Sequence, residues 1–206
     1  MNLFADTPLQ LPGAELDFHP QWLSAELADQ WLAKIYQQTP WQQPQVNLFG
    51  RRHPVPRLLA WYGDEGVGYR YSGLYHAPLP WTPLLAEVRA QLAAFVGQPL
   101  NGLLLNYYRD GQDSMGWHSD DEAELGPNPI VVSLSLGGSR RFDLRRKGQQ
   151  RIEHSLQLDH GSLLVMRATT QHYWQHQIAK TRKPCAPRLN LTFRYVLNGD
   201  GLSHEQ

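Results

Sequence analysis

The stretch Pro187–Val196, PRLNLTFRYV, alternates with a period of two. Leu189, Leu191, Phe193 and Tyr195 share one face of the strand it predicts, and Arg188, Asn190, Thr192 and Arg194 share the other. If the strand lay at an edge, the polar row would simply meet water. Near the middle of a jelly roll both faces are covered, and the two arginines then need an anion, because an unpaired buried guanidinium is costly. Arginine holds carboxylate in a bidentate fork, so a dicarboxylate would serve.

Working upstream, NGLLLNYY repeats the arrangement. Leu103, Leu105 and Tyr107 share a face suited to a core, while Asn106 and Tyr108 offer an amide and a phenol on the opposite one. Short runs punctuated by Gly, Pro, Asp and Asn predict further strands near 115–120, 130–136, 140–144, 151–157, 162–167 and 172–178. The N-terminal third reads as helix and irregular structure. Ser24 caps a helix to about Gln38, and Thr82 caps another from Pro83 to Val96 that Gly97 stops. The expected fold is mostly β with flanking helices: a jelly-roll core over 101–196, preceded by helices and loops over 1–100, in one domain spanning 1–206.

Met115–Glu122, MGWHSDDE, supplies chemistry for that fold. On a strand His118 and Asp120 point the same way and Asp121 the other, so an imidazole and a carboxylate stand side by side. A solvated acid pair in a polar turn is the alternative. Downstream, His172 and His176 share strand parity, so spacing does not choose between them, and His154 and His160 are expected at the surface of a hairpin. Two histidines and one carboxylate form the facial set that leaves positions open on non-haem iron(II). Zinc accepts the same ligand types, but would not explain the paired arginines.

The 206 residues are 41% hydrophobic, as in a globular protein able to bury a core. Nineteen basic and nineteen acidic residues balance, which argues against non-specific coating of nucleic acid but leaves room for local patches such as Arg51–Arg52, Arg145–Lys147 and Lys180–Lys183. The N-terminus lacks the basic start and apolar stretch of a signal peptide, and no apolar run is long enough to span a bilayer. One cysteine, Cys185, permits no intrachain disulfide and suggests a reducing compartment, the cytoplasm of a bacterium or the nucleus of a eukaryote.

Together NYYRDGQDSMGWHSDDE, HGSLLVM, His176 and APRLNLTFR resemble the AlkB family of iron(II)- and 2-oxoglutarate-dependent nucleic-acid dealkylases. They look most like its duplex-DNA-repair branch, the human AlkB homologue two type, over about residues 45–196. The resemblance implies His118, Asp120 and His176 as iron ligands, and Arg188 as the grip on the far carboxylate of 2-oxoglutarate. Asn106, Tyr108, Thr192 and Arg194 match its other co-substrate contacts. LFGRRHPVPR looks like a loop that fills the gap left by a flipped base, with Phe49 as the wedge and Arg51 and Arg52 near phosphates. An ordinary core role for Phe49 is the alternative. Tyr69 and Tyr71 match lesion-pocket positions, Tyr71 replacing a phenylalanine. Asp121 matches an acid that favours a cationic damaged base, against the alternative of a solvated acid. Lys180, Arg182 and Lys183 sit where the family grips the phosphate backbone.

The activity so implied uses iron(II), dioxygen and 2-oxoglutarate to hydroxylate the N-methyl group of 1-methyladenine or 3-methylcytosine in DNA, releasing formaldehyde. The expected partner is alkylated DNA bound by a monomer. The alternatives are the same oxygenase chemistry on RNA or protein, or a catalytically silent nucleic-acid binder.

Overall fold

A computed structural model describes residues 9–48, 50–71 and 74–197. In chain order its strands are β1 (Leu9–Leu11), β2 (Ala14–His19), β3 (Gln45–Leu48), β4 (Arg51–Pro54), β5 (Leu58–Gly63), β6 (Tyr69–Tyr71), β7 (Leu74–His76), β8 (Gly102–Tyr108), β9 (Met115–His118), β10 (Val131–Gly137), β11 (Arg140–Arg146), β12 (His154–Leu158), β13 (Leu163–Arg167), β14 (Trp174–Ile178) and β15 (Arg188–Arg194). The helices are α1 (Ala25–Gln38), α2 (Pro83–Val96) and the single turn α3 (Thr170–Tyr173). None of the helices among the described residues is long and apolar enough to cross a membrane.

Two antiparallel sheets face each other. The major sheet runs β1-β2-β13-β10-β15-β8-β5 and the minor one β12-β11-β14-β9. β15 lies inside the major sheet between β10 and β8, and all seven of its residues are buried. Its Leu189, Leu191 and Phe193 join Leu103 and Leu105 of β8 under α1 and α2, packed on Trp31, Ile35, Val88 and Leu92. The opposite face looks across to the minor sheet, where Phe142, Leu144, Trp174 and Ile178 pack on Leu164 and Met166. Both faces are therefore covered, as the alternating arginines require of a jelly roll.

The helices start and stop where the sequence signals them. Ser24 Oγ accepts from the Leu27 N–H at 3.3 Å and Thr82 Oγ1 from the Leu85 N–H at 3.2 Å. Gly97 ends α2 in the left-handed conformation, φ 73°. At the β10–β11 turn a side chain on Gly138 would lie 2.0 Å from the Ala186 carbonyl oxygen, so only glycine lets the chain before β15 pass.

The division at residue 101 needs correction. β2 pairs with β13 and β5 with β8, so N-terminal strands complete the core sheet rather than only flanking it. His160 is not a bare surface residue either. Its Nδ1 accepts the Gly137 N–H at 2.7 Å, pinning the turn before β13 to the end of β10.

Candidate metal and co-substrate site

β9 and β14 pair with His118 directly opposite His176, which brings the two rings to 4.1 Å between centroids. Asp120 follows just past the end of β9, with Oδ2 3.5 Å from His176 Nε2. One potential ligand atom from each of the three residues lies within 4.8 Å of the others. His172, which shares parity with His176 on paper, belongs to the helical turn α3 and is exposed. The local fold thus selects His176.

The imidazoles are prepared for ligation. His118 Nδ1 stands 2.8 Å from the Gly116 carbonyl, which only accepts, so Nδ1 carries the proton and Nε2 keeps its lone pair. Burial pushes His176 down to about 3, and the neighbouring His118 adds to the push. Burial lowers His118 as well. Burial alone would raise the Asp120 carboxyl, but Arg194, His176 and His118 outweigh it and hold Asp120 below the usual carboxylate range. The set is therefore two neutral nitrogens and one anionic oxygen, suited to a divalent metal.

The lowered histidine carries a stability consequence. Below its ordinary value of 6.5 the unfolded chain takes up a proton that folded His176 refuses until about 3. The metal-free protein is expected to lose stability progressively as pH falls through that window. Urea titrations from neutral to mildly acid pH check this, and a flat profile would contradict a neutral His176.

The facing polar row of the major sheet forms the other wall of a cleft of ≈ 440 Å³ between the sheets. Arg188 is 1% exposed. Its Nη2 donates to Ser135 Oγ at 2.9 Å, whereas Nε and Nη1 are buried without a partner. Two guanidiniums stand over the Tyr108 ring, Arg188 at 5.3 Å and Arg140 at 5.6 Å. Asn190 Nδ2 donates to Ser133 Oγ at 2.8 Å, and Thr192 Oγ1 donates to Asn190 Oδ1 at 2.8 Å. Asn106 Oδ1 accepts from Arg57 Nε at 2.7 Å. Arg194, on the same face, turns its guanidinium to the Asp120 carboxylate.

Asp121 and the predicted basic residues stand outside this cluster. Asp121 is half-exposed and accepts from Lys147 Nζ at 2.5 Å. Glu122, beside it, lines an adjoining cavity with Trp61 and Arg194. Arg51 and Arg52 are exposed on the β3–β4 ribbon, and Lys180, Arg182 and Lys183 are exposed after β14. Tyr69 and Tyr71 stand on the β6–β7 ribbon, and Phe49 lies outside the described residues. Trp117 is covered by Arg145, whose guanidinium sits 4.2 Å from its ring.

Sequence reasoning missed Ser133, Ser135 and Arg57. The alternation of VVSLSLG could have disclosed the serines, which pair in register with Thr192 and Asn190. Arg57 precedes β5 in an irregular segment, and no periodicity announced it.

A facial ligand set between the sheets of a jelly roll is the mark of mononuclear non-haem metal enzymes. Residues 15–194 match the family described as the 2OG-Fe(II) oxygenase superfamily, and the chain belongs to that superfamily, as an ALKBH2-like member of the AlkB family. It is 44% identical over 159 residues to the DNA oxidative demethylase ALKBH2 of Bos taurus, covering 74% of this chain and 57% of that one. It is 38% identical over 189 residues to the alpha-ketoglutarate-dependent dioxygenase alkB homolog 3 of Rattus norvegicus, covering 86% and 63%. The chain thus spans about three fifths of the length of the curated relatives it matches. Its fold superposes on the structure of OsALKBH1 with a TM-score of 0.62 at 16% identity, covering 90% of this chain and 99% of that one. The superfamily implies iron(II), 2-oxoglutarate and dioxygen, and the site fits them: the donor set suits iron(II), and the two orphaned donor nitrogens of the Arg188 guanidinium suit a carboxylate.

Proposed function

We propose that this protein is an iron(II)- and 2-oxoglutarate-dependent dioxygenase that repairs alkylated DNA by oxidative demethylation. The observation that carries this reading is the meeting, in one cleft, of the His118–Asp120–His176 cluster with a buried Arg188 that keeps two guanidinium nitrogens unpartnered. Iron and 2-oxoglutarate, when bound with dioxygen, supply the oxidation of an N-methyl carbon, whose hydroxylated product breaks down to formaldehyde and the restored base.

The chain's own residues position the reactants. His118 and His176 present neutral nitrogens and Asp120 an anionic oxygen to iron(II). Arg188 takes the far carboxylate of 2-oxoglutarate in a charge-assisted fork. Tyr108, Asn106 and Thr192 supply hydrogen-bonding groups along the same wall, and Arg194 steadies Asp120. Burial between two sheets keeps bulk water from the open end of the cluster.

DNA as the substrate is supported by the ALKBH2 relatives, which are named DNA oxidative demethylases. The substrate bases are 1-methyladenine and 3-methylcytosine, both cationic. Asp121 favours that charge, and the base must compete for it with Lys147. Tyr69 lines the lesion pocket, Tyr71 stacks on one face of the flipped base, and Phe49 fills the gap it leaves in a duplex. Exposed Arg51, Arg52, Lys180, Arg182 and Lys183 hold phosphates, so binding weakens with salt. The protein works as a monomer with one catalytic domain.

The test is mass spectrometry of a 1-methyladenine oligonucleotide, single-stranded and annealed, incubated with protein, iron(II), ascorbate and 2-oxoglutarate. Methyl loss that requires both iron and 2-oxoglutarate is expected. Consumption of 2-oxoglutarate without methyl loss would keep the oxygenase and remove the substrate, and consumption of neither with metal bound would remove the enzyme.

A further inference from the structure

Past His118 the backbone ladder between β9 and β14 stops. His118 pairs with His176, so continued antiparallel register would set Asp120 opposite Trp174. Side chains stand in for that missing pair. Ser119 Oγ donates to the Trp174 carbonyl at 2.8 Å. The Asp120 N–H donates to Oε1 of Gln171 at 3.0 Å.

Gln171 is 0% exposed. Apart from Asp120, its amide meets only Met166 among the described residues, with Nε2 3.4 Å from the thioether sulfur, a weak acceptor. The turn that carries Gln171 is itself tied down. Thr170 Oγ1 accepts the Glu15 N–H at 2.9 Å and donates to the Arg167 carbonyl at 2.5 Å. Trp174 Nε1 donates to the Pro12 carbonyl at 3.1 Å. Ala168, entering the turn, has φ 48°, a left-handed conformation unfavourable for any residue but glycine. These anchors keep α3 at the end of β14, and α3 in turn presents one neutral acceptor to the backbone of Asp120.

We propose that Gln171, assisted by Ser119, is a positioning residue for the metal site, holding Asp120 in line with the two histidines before metal arrives. This inference rests on the reading of His118, Asp120 and His176 as the iron ligands. Chemistry selects an amide for the task. A leucine fills similar space but leaves the Asp120 N–H without its acceptor, and a smaller amide falls short. Without the clamp, Asp120 has to be brought into place as the metal binds, so the ligand set is less preorganised.

The experiment titrates iron(II) anaerobically into the protein against a chromophoric chelator. It then records the charge-transfer absorption that appears on adding 2-oxoglutarate, with thermal unfolding measured in parallel. Gln171→Leu is expected to weaken iron(II) binding by about 10- to 100-fold and to alter the band. Gln171→Glu, which keeps an oxygen acceptor in the same place, is expected to recover most of the affinity. Ser119→Ala, less buried and safer for folding, is expected to lose about fivefold, as for one hydrogen bond. Wild-type affinity and an unchanged band in both Gln171→Leu and Ser119→Ala would overturn the proposal. So would a loss that merely tracks unfolding and that Gln171→Glu leaves unrescued. Failure of the wild-type protein to bind iron(II) at all would instead remove the assignment of the three ligands.

Discussion

Replacing Arg188 by methionine is expected to stabilise the free protein while removing its hold on 2-oxoglutarate. Burial pushes the Arg188 guanidinium well below its ordinary value, to about 10, and Arg140 nearby works in the same direction. A folded value below the unfolded one means the fold disfavours the cation. That penalty is fully present at neutral pH and fades only as pH rises past about 10. The shift, which already includes the favourable contact with Tyr108, corresponds to roughly 3 kcal/mol, and the bond to Ser135 returns a part, so a net gain of about 1–3 kcal/mol is expected from a methionine of similar length. Urea denaturation near neutral pH measures it. 2-Oxoglutarate added to the metal-bound protein should further stabilise the wild type and leave the metal-bound variant unmoved, its affinity for the diacid weakened about 100-fold or more. A variant less stable than wild type would show that Arg188 is already satisfied in the free protein.

Removing the carboxylate of Asp120 is expected to abolish metal binding and also to weaken the fold. Asp120 and Arg194 are 3% and 5% exposed and bonded to each other. Breaking a buried pair from one side costs about 3–5 kcal/mol, because the remaining charge loses its counter-ion. Asp120→Ala alone is therefore an ambiguous control for activity. Combined with Arg194→Met, it should regain most of the lost stability and still bind no iron(II), which separates the two roles. Denaturation midpoints and metal titration of the single and double variants provide the measurement. An Asp120→Ala protein as stable as wild type would mean that the other contacts of Arg194 suffice.

The parts of this molecule that were legible in sequence share a physical origin. PRLNLTFRYV announced a strand covered on both sides because a period of two carried opposite chemistries on its two faces, and β15 has that form. The helix ends were legible because capping is local, decided within three or four residues. β2 was overlooked although AELDFH alternates apolar with polar residues, because its place in the core sheet is set by pairing with β13, some 150 residues away along the chain. Parity could not separate His172 from His176, because a helical turn beginning at Thr170 breaks the strand rule at that point. Arg57 and Gln171 reach the site through contacts 49 and 51 residues apart in sequence, which no local pattern encodes.

β9, the strand bearing His118, is the outermost of its sheet, whereas β15, bearing Arg188, is enclosed on both flanks. The two ends of the cleft are thus unequal. A small diacid has to pass inward and is measured by walls on every side. The reacting group needs only to arrive at the rim, so the molecule that carries it has no upper size. A polymer of any length could be served one unit at a time at that rim, with everything but that unit left outside.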